Sequence, residues 1–334
     1  MSKLISLIVS VYNEENGLKQ FYETTKSIMD KFTTDSAAED KEYSYELCFV
    51  NDGSSDNSGS ILTDIKSADG EHVTLISFSR NFGHEAAMTA GLDYASGDYL
   101  IFMDADLQHP PALIPDIIAR FEKGAEVISM VRTKNESAGG LKNLTSDLFY
   151  KLINEISETR LIPGASDFFA IDSNAAKVLR ENYREKVRFL RGYVQNIGFN
   201  KDTIEYEAAA RVAGHSHYSI KKLWKFSMDT IICFSNVPLK LGIYAGLASG
   251  TLGILLIIYT LLTRNGAPSG YATIVIVLCF MFAVLFMLLG ILGSYIAVLF
   301  REMQDRPIYI VKDVEKAAGG CINEKMCDSR RSAD

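Results

Sequence analysis

Short apolar runs alternate with amphipathic stretches over the first 131 residues of the chain. The apolar runs, which are rich in β-branched residues, predict buried strands over residues 4–11, 46–51, 73–79, 99–103 and 126–131. Apolar residues at helical spacing predict helices over residues 17–31, 58–68, 86–95 and 111–123. This alternation predicts an α/β domain of Rossmann-like type, with a mostly parallel sheet covered by helices on both faces.

Two much longer apolar runs follow in the second half of the chain, at residues 241–263 and 272–298. Each is long enough to cross roughly 30 Å of hydrocarbon, so together they predict a hairpin of two transmembrane helices. Arg264 is the one charged residue between positions 241 and 300, and lysines and arginines flank the pair on both sides. The positive-inside rule then places both termini and the N-terminal domain in the cytoplasm.

Two basic amphipathic segments precede the apolar runs, at residues 182–197 and 219–234. Their position favours helices that lie on the anionic membrane surface, although ordinary surface helices would show the same pattern. The predicted organisation is therefore an α/β domain at 1–180, juxtamembrane helices and a loop at 181–235, two transmembrane helices at 236–300, and a cytoplasmic tail at 301–334.

Charge and cysteine content exclude several classes of protein. The formal net charge of −7 argues against a general nucleic-acid-binding protein, because such proteins need a basic face to neutralise phosphates. None of the five cysteines shows C-x-x-C spacing. This pattern indicates a reduced compartment rather than a disulfide framework or a zinc site.

Acidic clusters follow two of the predicted strands, at residues 52–56 and 104–106. Ligands of α/β sheets bind at the carboxyl ends of the strands, which is where both clusters fall. Asp104 and Asp106 are oxygen donors suited to Mg²⁺ or Mn²⁺, and Gln108 could add a carbonyl oxygen. A solvated surface turn is the alternative for the first two, and a helix cap is the alternative for Asp56.

The order and spacing of several motifs resemble glycosyltransferase family 2, and within it the polyprenyl-phosphate branch of bactoprenol glucosyltransferases and dolichol-phosphate mannose synthases. The motifs are SVYNEE at 10–15, VNDGSSD at 50–56, SRNFGH at 79–84, AGLD at 90–93, GD at 97–98, DADLQHP at 104–110, SDF at 166–168, VRFLRG at 187–192, AGHSHY at 213–218 and RPIYIV at 306–311. The resemblance therefore covers nearly the whole chain and implies a GT-A fold.

The resemblance also implies roles for individual residues. Asp167 matches the proposed catalytic carboxylate of the family, and the metal on the donor diphosphate, Mg²⁺ or Mn²⁺, would be held by Asp104, Asp106 and Gln108. The residues that would bind the nucleotide sugar are Tyr12, Glu14, Asp52, Arg80 and Asp104. The acceptor phosphate would be bound by Arg132 and Lys134. The residues that match a mobile loop near the diphosphate are Arg211, His215, Ser216 and Tyr218.

The implied reaction is an inverting, metal-dependent transfer of one sugar from a nucleotide sugar, with a UDP-hexose favoured, to polyprenyl (undecaprenyl) phosphate. It would take place at the cytoplasmic face of the inner membrane, in the modification of surface glycans. The partners would be the nucleotide sugar, the polyprenyl phosphate and the lipid bilayer. Small residues at 245–250 permit close helix packing in a homo-oligomer. The alternatives are a processive polysaccharide synthase, which would carry a Gln-x-x-Arg-Trp motif absent here, and a non-catalytic sugar-nucleotide-binding scaffold.

Three further expectations concern the surroundings of the site. Phe169 stands where many relatives have arginine, so a polar contact near Asp167 is expected to be missing or replaced. His84 stands alone in the sequence and is expected to be a surface or packing residue. An acceptor phosphate monoester with a second pKa of about 6 is largely ionised at neutral pH, so Asp167 is expected to orient a reactant more than to remove a proton.

Overall fold

The computed structural model of the chain describes residues 2–133, 162–186, 188–207, 237–262 and 270–318. Its strands are β1 Lys3–Val11, β2 Tyr43–Asn51, β3 Val73–Phe78, β4 Tyr99–Asp104, β5 Val127–Arg132, β6 Ala165–Asp172, β7 Lys201–Tyr206 and β8 Val311–Glu315. Its helices are α1 Leu18–Ala38, α2 Ser58–Ala68, α3 His84–Tyr94, α4 Ile114–Glu122, α5 Ser173–Asn182, α6 Leu190–Asn196, α7 Val237–Leu262 and α8 Tyr271–Met303, and a 3₁₀ turn at Pro111–Leu113 leads into α4. The chain divides into two compact units, of which one holds the strands with α1 to α6 and the other holds α7 and α8.

All eight strands form one sheet in the order β7-β5-β6-β4-β1-β2-β3-β8. The neighbours β4, β1, β2 and β3 run parallel, as the sequence predicts. However, β6 lies antiparallel between β4 and β5, and β8 lies antiparallel to β3 at the edge. The prediction of a mostly parallel sheet is therefore corrected to a mixed sheet, because strand-like patterns do not encode strand direction.

The central strands are buried on both faces of the sheet. Leu7, Phe49 and Phe102 have no exposed surface, although they belong to three different strands. Helices cover both faces of such a sheet, so its strands have continuous apolar sequences rather than alternating ones. This property is why the first four strands could be recognised from the sequence.

The segment after α8 returns to the eight-stranded sheet. Its strand β8 pairs with β3, and the Ala317 N–H donates to Thr74 Oγ1 at 3.0 Å. The ammonium of Lys66 donates to the carbonyls of Val73 and Lys316, each at 2.8 Å. The region predicted as a C-terminal tail, 301–334, therefore includes an edge strand at residues 311–315, which are mostly polar.

Tyr309, just before β8, joins three separate parts of the fold. Its hydroxyl donates to Asp93 Oδ2 at 2.6 Å, and its ring stacks on Phe78 with centroids 5.2 Å apart. Arg184 donates two further hydrogen bonds to Asp93 from Nη1, at 2.8 and 3.0 Å. Asp93 therefore links α3, the loop after α5 and the returning segment.

We expect Tyr309→Phe to lower the stability of the folded chain by about 1–2 kcal/mol, because it removes a partly buried hydrogen bond to a charged group but keeps the stacked ring. Thermal unfolding of the full chain in detergent, followed by circular dichroism, should show a melting temperature lower by roughly 2–6 °C. Tyr43→Phe is the matched control, since the Tyr43 hydroxyl donates to Glu122 at the exposed surface. Equal shifts in the two variants would contradict a special role for the returning segment.

The first predicted juxtamembrane helix, at 182–197, is not a continuous amphipathic helix. Among the described residues of this range, Asn182 ends α5, residues 183–186, 188 and 189 are not helical, and Leu190–Asn196 forms α6 in the unit that contains the sheet. Two of its predicted membrane-facing cations instead form ion pairs within the protein: Arg184 with Asp93, and Arg191 with Asp167. The second predicted helix, at 219–234, lies outside the described residues.

The second unit contains the two apolar helices, α7 and α8, which coincide with the predicted spans and contact each other. Within the described residues, one helix is long and apolar enough to cross a bilayer, Phe280–Met303, and none of it is buried inside the fold. A shorter apolar stretch is Gly246–Leu255. Large apolar side chains such as Leu247, Phe286 and Leu299 are at least 60% exposed.

Candidate active site

Three polar residues lie side by side where β1, β4 and β6 meet. Ser10 of β1 is in register with Asp104 of β4, and Ser10 Oγ donates to Asp104 Oδ1 at 3.3 Å. On the other side, Phe102 of β4 pairs with Phe169 of the antiparallel β6. Continuing that register by two residues brings Asp104 opposite Asp167. The metal-ligand and catalytic candidates of the sequence, far apart along the chain, are thus neighbours in the sheet.

His84, the first residue of α3, contacts all three of these residues. Its Nδ1 is hydrogen-bonded to Ser10 Oγ at 2.8 Å and lies 3.6 Å from Asp104 Oδ1. Its Nε2 lies 3.9 Å from Asp167 Oδ2 and, among the described residues, is buried without a hydrogen-bond partner. His84, expected to be a surface or packing residue, thus lies between the two carboxylates and contacts polar groups.

In Asp167 and His84, the nearby charges shift the pKa in the direction opposite to the shift that burial causes. Burial is the largest single influence on Asp167 and raises its pKa, but Arg191, His84, His109 and Arg132 together lower the pKa below its ordinary value. Burial likewise lowers the pKa of His84, but the nearby carboxylates outweigh it and raise that pKa. Asp167 is consequently ionised at neutral pH.

The turn after β4 is fixed by its own backbone and side chains. The Asp104 N–H donates to Nδ1 of His109 at 3.0 Å, and the ring of His109 stacks on Phe168. Leu107 has a left-handed backbone with φ of 59°, and the Gln108 N–H donates to Asp106 Oδ1 at 3.0 Å. Burial lowers the pKa of His109, which favours the neutral ring, and the N–H donated by Asp104 to Nδ1 assigns the remaining ring proton to Nε2.

The donor set at this turn fits a hard divalent cation. Asp104 has a side chain that is one-third exposed (33%), and Asp106 adds a second carboxylate that is mostly buried. In the described ranges, no group of three or more His, Cys, Asp or Glu side chains is arranged to hold a metal ion. Two carboxylates suit Mg²⁺ or Mn²⁺, since these ions commonly take their remaining oxygen ligands from substrate phosphates and water. The predicted ligands Asp104 and Asp106 therefore remain suitable, and no contact of the Gln108 side chain tests its part.

The loop after β1 is joined to the segment after β2 by hydrogen bonds from backbone N–H groups to serine hydroxyls. The Asn13 N–H donates to Ser54 Oγ at 3.2 Å, and the Glu14 N–H donates to Ser58 Oγ at 2.9 Å. Tyr12 projects from this pair of loops with 40% of its surface exposed. Tyr12 and Glu14, predicted to bind the nucleoside, thus lie on the loops that follow the parallel strands.

Asp52 is only 2% exposed, and its carboxylate accepts three hydrogen bonds from the loop before α3. The donors are Asn81 Nδ2 at 3.0 Å and the N–H groups of Phe82 and Gly83 at 2.6 and 2.9 Å. Burial, which outweighs those N–H groups, raises the pKa of Asp52. Asp52 therefore positions His84, which directly follows that loop, and its contact with a nucleoside stays a prediction.

Arginines approach the site from several segments. Arg191 Nη1 lies 3.3 Å from Asp167 Oδ1, and Arg132, the last residue of β5, is exposed near the same carboxylate. Arg80 lies at the surface, with its guanidinium 3.9 Å from the Phe82 ring centroid. Phe169 is buried against Phe102. The arginine expected but absent at 169 is thus replaced at Asp167 by Arg191.

The remaining predicted residues fall outside the described part of the chain. These are Lys134 of the predicted acceptor site and the predicted loop residues Arg211, His215, Ser216 and Tyr218. Sequence reasoning missed the parts played by Ser10, His84, His109 and Arg191. The available signal was that each lies in one of the family motifs quoted above.

A profile of the family described as Glycosyl transferase family 2 matches residues 6–179. The chain is 38% identical over 310 residues to an uncharacterized glycosyltransferase, YkcC, of Bacillus subtilis, covering 92% of this chain and 93% of that protein. It is 36% identical over 312 residues to a prophage-derived bactoprenol glucosyl transferase of Shigella flexneri, covering 92% and 97%. It is also 34% identical over 316 residues to a prophage bactoprenol glucosyl transferase homolog of Escherichia coli, covering 93% and 99%.

Solved structures resemble the chain more distantly. The structure of glucosyl-3-phosphoglycerate synthase from Mycobacterium tuberculosis, in complex with Mn²⁺, UDP-glucose and phosphoglyceric acid, superposes with a TM-score of 0.44 at 16% identity. The match covers 69% of this chain and 78% of that one.

Proposed function

The chain belongs to glycosyl transferase family 2, and we propose that it transfers one sugar from a UDP-hexose to polyprenyl phosphate at the cytoplasmic face of the bacterial inner membrane. Relatives named bactoprenol glucosyl transferase match more than nine-tenths of its length, at 34–36% identity. The structural observation that carries the proposal is the juxtaposition of Asp104 and Asp167 across β4 and β6.

The donor end of the reaction needs stabilisation of negative charge. The leaving group is a nucleoside diphosphate, and a divalent metal on that diphosphate would neutralise the charge that develops on it. Asp104 and Asp106 would hold the metal, with Gln108 as a further candidate. Tyr12, Glu14, Asp52 and Arg80 would bind or support the nucleotide sugar on the loops after β1, β2 and β3.

The acceptor phosphate needs to be oriented more than it needs to be deprotonated. A phosphate monoester is largely ionised at neutral pH, since its second pKa is about 6. The pKa of Asp167 is below its ordinary value, so this carboxylate is a weak base. We therefore assign Asp167 the task of orienting the acceptor or the sugar for an inverting, in-line attack. Arg132 and Lys134 would pair with the acceptor phosphate.

The topology of the sheet supports a two-pass membrane arrangement. Strands β7 and β8 precede and follow the apolar helices along the chain, yet both belong to one sheet. A water-exposed sheet edge does not lie within the hydrocarbon, so this pairing favours an even number of bilayer crossings between the two strands. With Phe280–Met303 as one crossing, we assign α7, the described apolar helix before it, as the other.

Transfer of labelled sugar into organic-extractable lipid tests the proposal. Membranes containing the full chain are incubated with polyprenyl phosphate and, in turn, UDP-glucose, UDP-galactose, UDP-N-acetylglucosamine and GDP-mannose, with and without a chelator. We expect chelator-sensitive label in lipid from a UDP-hexose. Label only in aqueous polymer would indicate a processive synthase instead, and no transfer from any donor would indicate a non-catalytic scaffold.

A further inference from the structure

The four residues 188–191, which we call the anchor segment, connect the start of α3 to the start of β6. The Leu190 N–H donates to Glu85 Oε2 at 2.8 Å, across 105 residues of sequence. Leu190 itself has no exposed surface. Glu85 is the second residue of α3 and follows His84, so the hydrogen bond fixes the anchor segment to the helix that begins at the active site.

Arg191, the last residue of the anchor segment, is held in one orientation by three contacts. Its Nη1 donates to the carbonyl of Ala165 at 3.1 Å and lies 3.3 Å from Asp167 Oδ1. Its guanidinium also lies over the Phe189 ring, 5.1 Å from the centroid. The carbonyl and the carboxylate belong to neighbouring parts of β6, so Arg191 contacts both the backbone and the functional group of that strand.

The local sequence allows this arrangement only with a glycine at 192. A Cβ atom at Gly192 would lie 2.3 Å from Cδ1 of Phe189, which is closer than any ordinary contact. The Gly192 N–H also donates to the Phe189 carbonyl at 2.9 Å. The motif FLRG at 189–192 therefore forms a tight turn that directs the Arg191 side chain towards β6.

Glu85 occupies an unfavourable place for a carboxylate. Burial, followed by the negative charge of Asp167, raises the pKa of Glu85 to about 7, and only the Leu190 N–H and nearby cations oppose this. A carboxylate kept in such an environment is often found at functional sites. Its carboxylate accepts the N–H of Leu190 in the anchor segment, so its geometric effect is on the position of Arg191.

The orientation of the Asp167 carboxylate depends on its contact with Arg191. Its side chain is one-third exposed (33%), and the guanidinium of Arg191 is nearer to it than the His84 ring, at 3.3 Å against 3.9 Å. An ion pair with a restrained guanidinium fixes a carboxylate better than one with a flexible cation, because the planar fork is already ordered.

We propose that Glu85 and Arg191 are positioning residues for Asp167, with Glu85 fixing the backbone of the anchor segment so that Arg191 orients the Asp167 carboxylate towards the reacting groups. This inference rests on the proposed function, since it assigns Asp167 a part in sugar transfer. Neither residue is a catalytic residue in this view, because each acts through Asp167.

A double-mutant cycle tests the inference. Glu85→Met removes the acceptor of the Leu190 N–H and keeps the side-chain length, and Arg191→Met removes the cation and keeps an unbranched apolar side chain. At pH 6 we expect kcat to fall about 10-fold for Glu85→Met and by at most about 100-fold for Arg191→Met, because misplacing a reacting group by about 1 Å has effects of this size and neither loss can exceed that of Asp167→Asn. The KM for the donor should stay within about 3-fold of the wild-type value.

The double variant and two conservative variants give the decisive comparison. Because Glu85 acts through Arg191, the double variant should be no more than about 3-fold slower than Arg191→Met alone, whereas independent effects would multiply. Glu85→Gln keeps an acceptor oxygen and should retain activity within about 3-fold, and Arg191→Lys should recover part of the loss. Rates are normalised to the fraction of protein that binds UDP, which removes any contribution from misfolded chains.

Surface pairs of the same unit provide controls. Glu122→Gln and Arg120→Lys change a carboxylate and a guanidinium whose ion pairs, with Lys41 and Asp202, lie at the surface, and both should leave kcat unchanged. The inference would be overturned if the kcat losses of Glu85→Met and Arg191→Met multiplied in the double variant. It would also be overturned if the variants changed KM alone, or if Glu85→Gln lost as much kcat as Glu85→Met. A wild-type chain that makes no lipid-linked sugar would instead overturn the proposed function, and the positioning role with it.

Discussion

Replacing Asp104 with asparagine is expected to reduce the rate of sugar transfer by about 10²–10³-fold, the effect of removing one group that stabilises developing charge. The amide can still accept the hydrogen bond from Ser10, but it lacks the charge that a divalent cation requires. Initial rates measured against Mn²⁺ and Mg²⁺ concentration should show a raised metal requirement as well as a lower maximal rate.

Asp98 offers a matched control for this substitution, because it lies just before the other end of β4 and its carboxylate accepts the Leu4 N–H at 2.9 Å. Asp98→Asn preserves that acceptor and should leave both the rate and the metal requirement near the wild-type values. If Asp104→Asn kept its rate and metal requirement within a few-fold of those of Asp98→Asn, the assignment of Asp104 as a metal ligand would be wrong.

Replacing Asp167 with asparagine is expected to give a loss of activity that depends on pH, about 100-fold at pH 6 and falling to about 10-fold at pH 9. The pKa of Asp167 is lowered in the folded protein, so this carboxylate is ionised throughout that range and its own titration contributes nothing to the trend. The acceptor phosphate monoester, however, loses its second proton near pH 6, after which little proton removal remains to be done.

Asp172→Asn is the control for Asp167→Asn. Asp172 is the last residue of β6, the strand that contains Asp167, and it caps α5 by accepting the Ala175 N–H at 2.8 Å. Asparagine caps helices about as well as aspartate does, so this variant should be active at every pH. A uniform loss of several decades for Asp167→Asn from pH 6 to pH 9 would show that Asp167 is an essential base rather than an orienting group.

The sequence predicted the central strands and the acidic strand ends because these features are local. Strands β1 to β5 and helices α1 to α4 lie close to their predicted positions, since continuous apolar runs mark strands buried on both faces. The edge strands were missed, because β7 (KDTIEY) and β8 (VKDVE) are polar and show only weak alternation. Strand β6 was missed as well, and with it the antiparallel pairing that sets Asp167 beside Asp104.

The arginines of residues 184–191 illustrate what a local pattern cannot give. Their spacing among apolar residues is equally compatible with a membrane-facing helix and with buried ion pairs. Arg184 instead pairs with Asp93 and Arg191 with Asp167, and no periodicity in the segment encodes partners that distant. The contacts of His84 could not be predicted for the same reason, because Ser10, Asp104 and Asp167 come close to its ring only in the assembled sheet.

The pairing of β8 with β3 determines when the sheet can be completed during synthesis of the chain. The hydrogen bond from Ala317 to Thr74 spans 243 residues, and the partner strand β3 is synthesised long before β8 leaves the ribosome. Until then the edge of β3 is unpaired, which exposes a nascent chain to wrong strand pairing. Because α7 and α8 lie between these strands in the sequence, both apolar helices are synthesised before the sheet can be completed. Under the proposed function, the α/β domain would therefore become complete only after its membrane-spanning helices have been made.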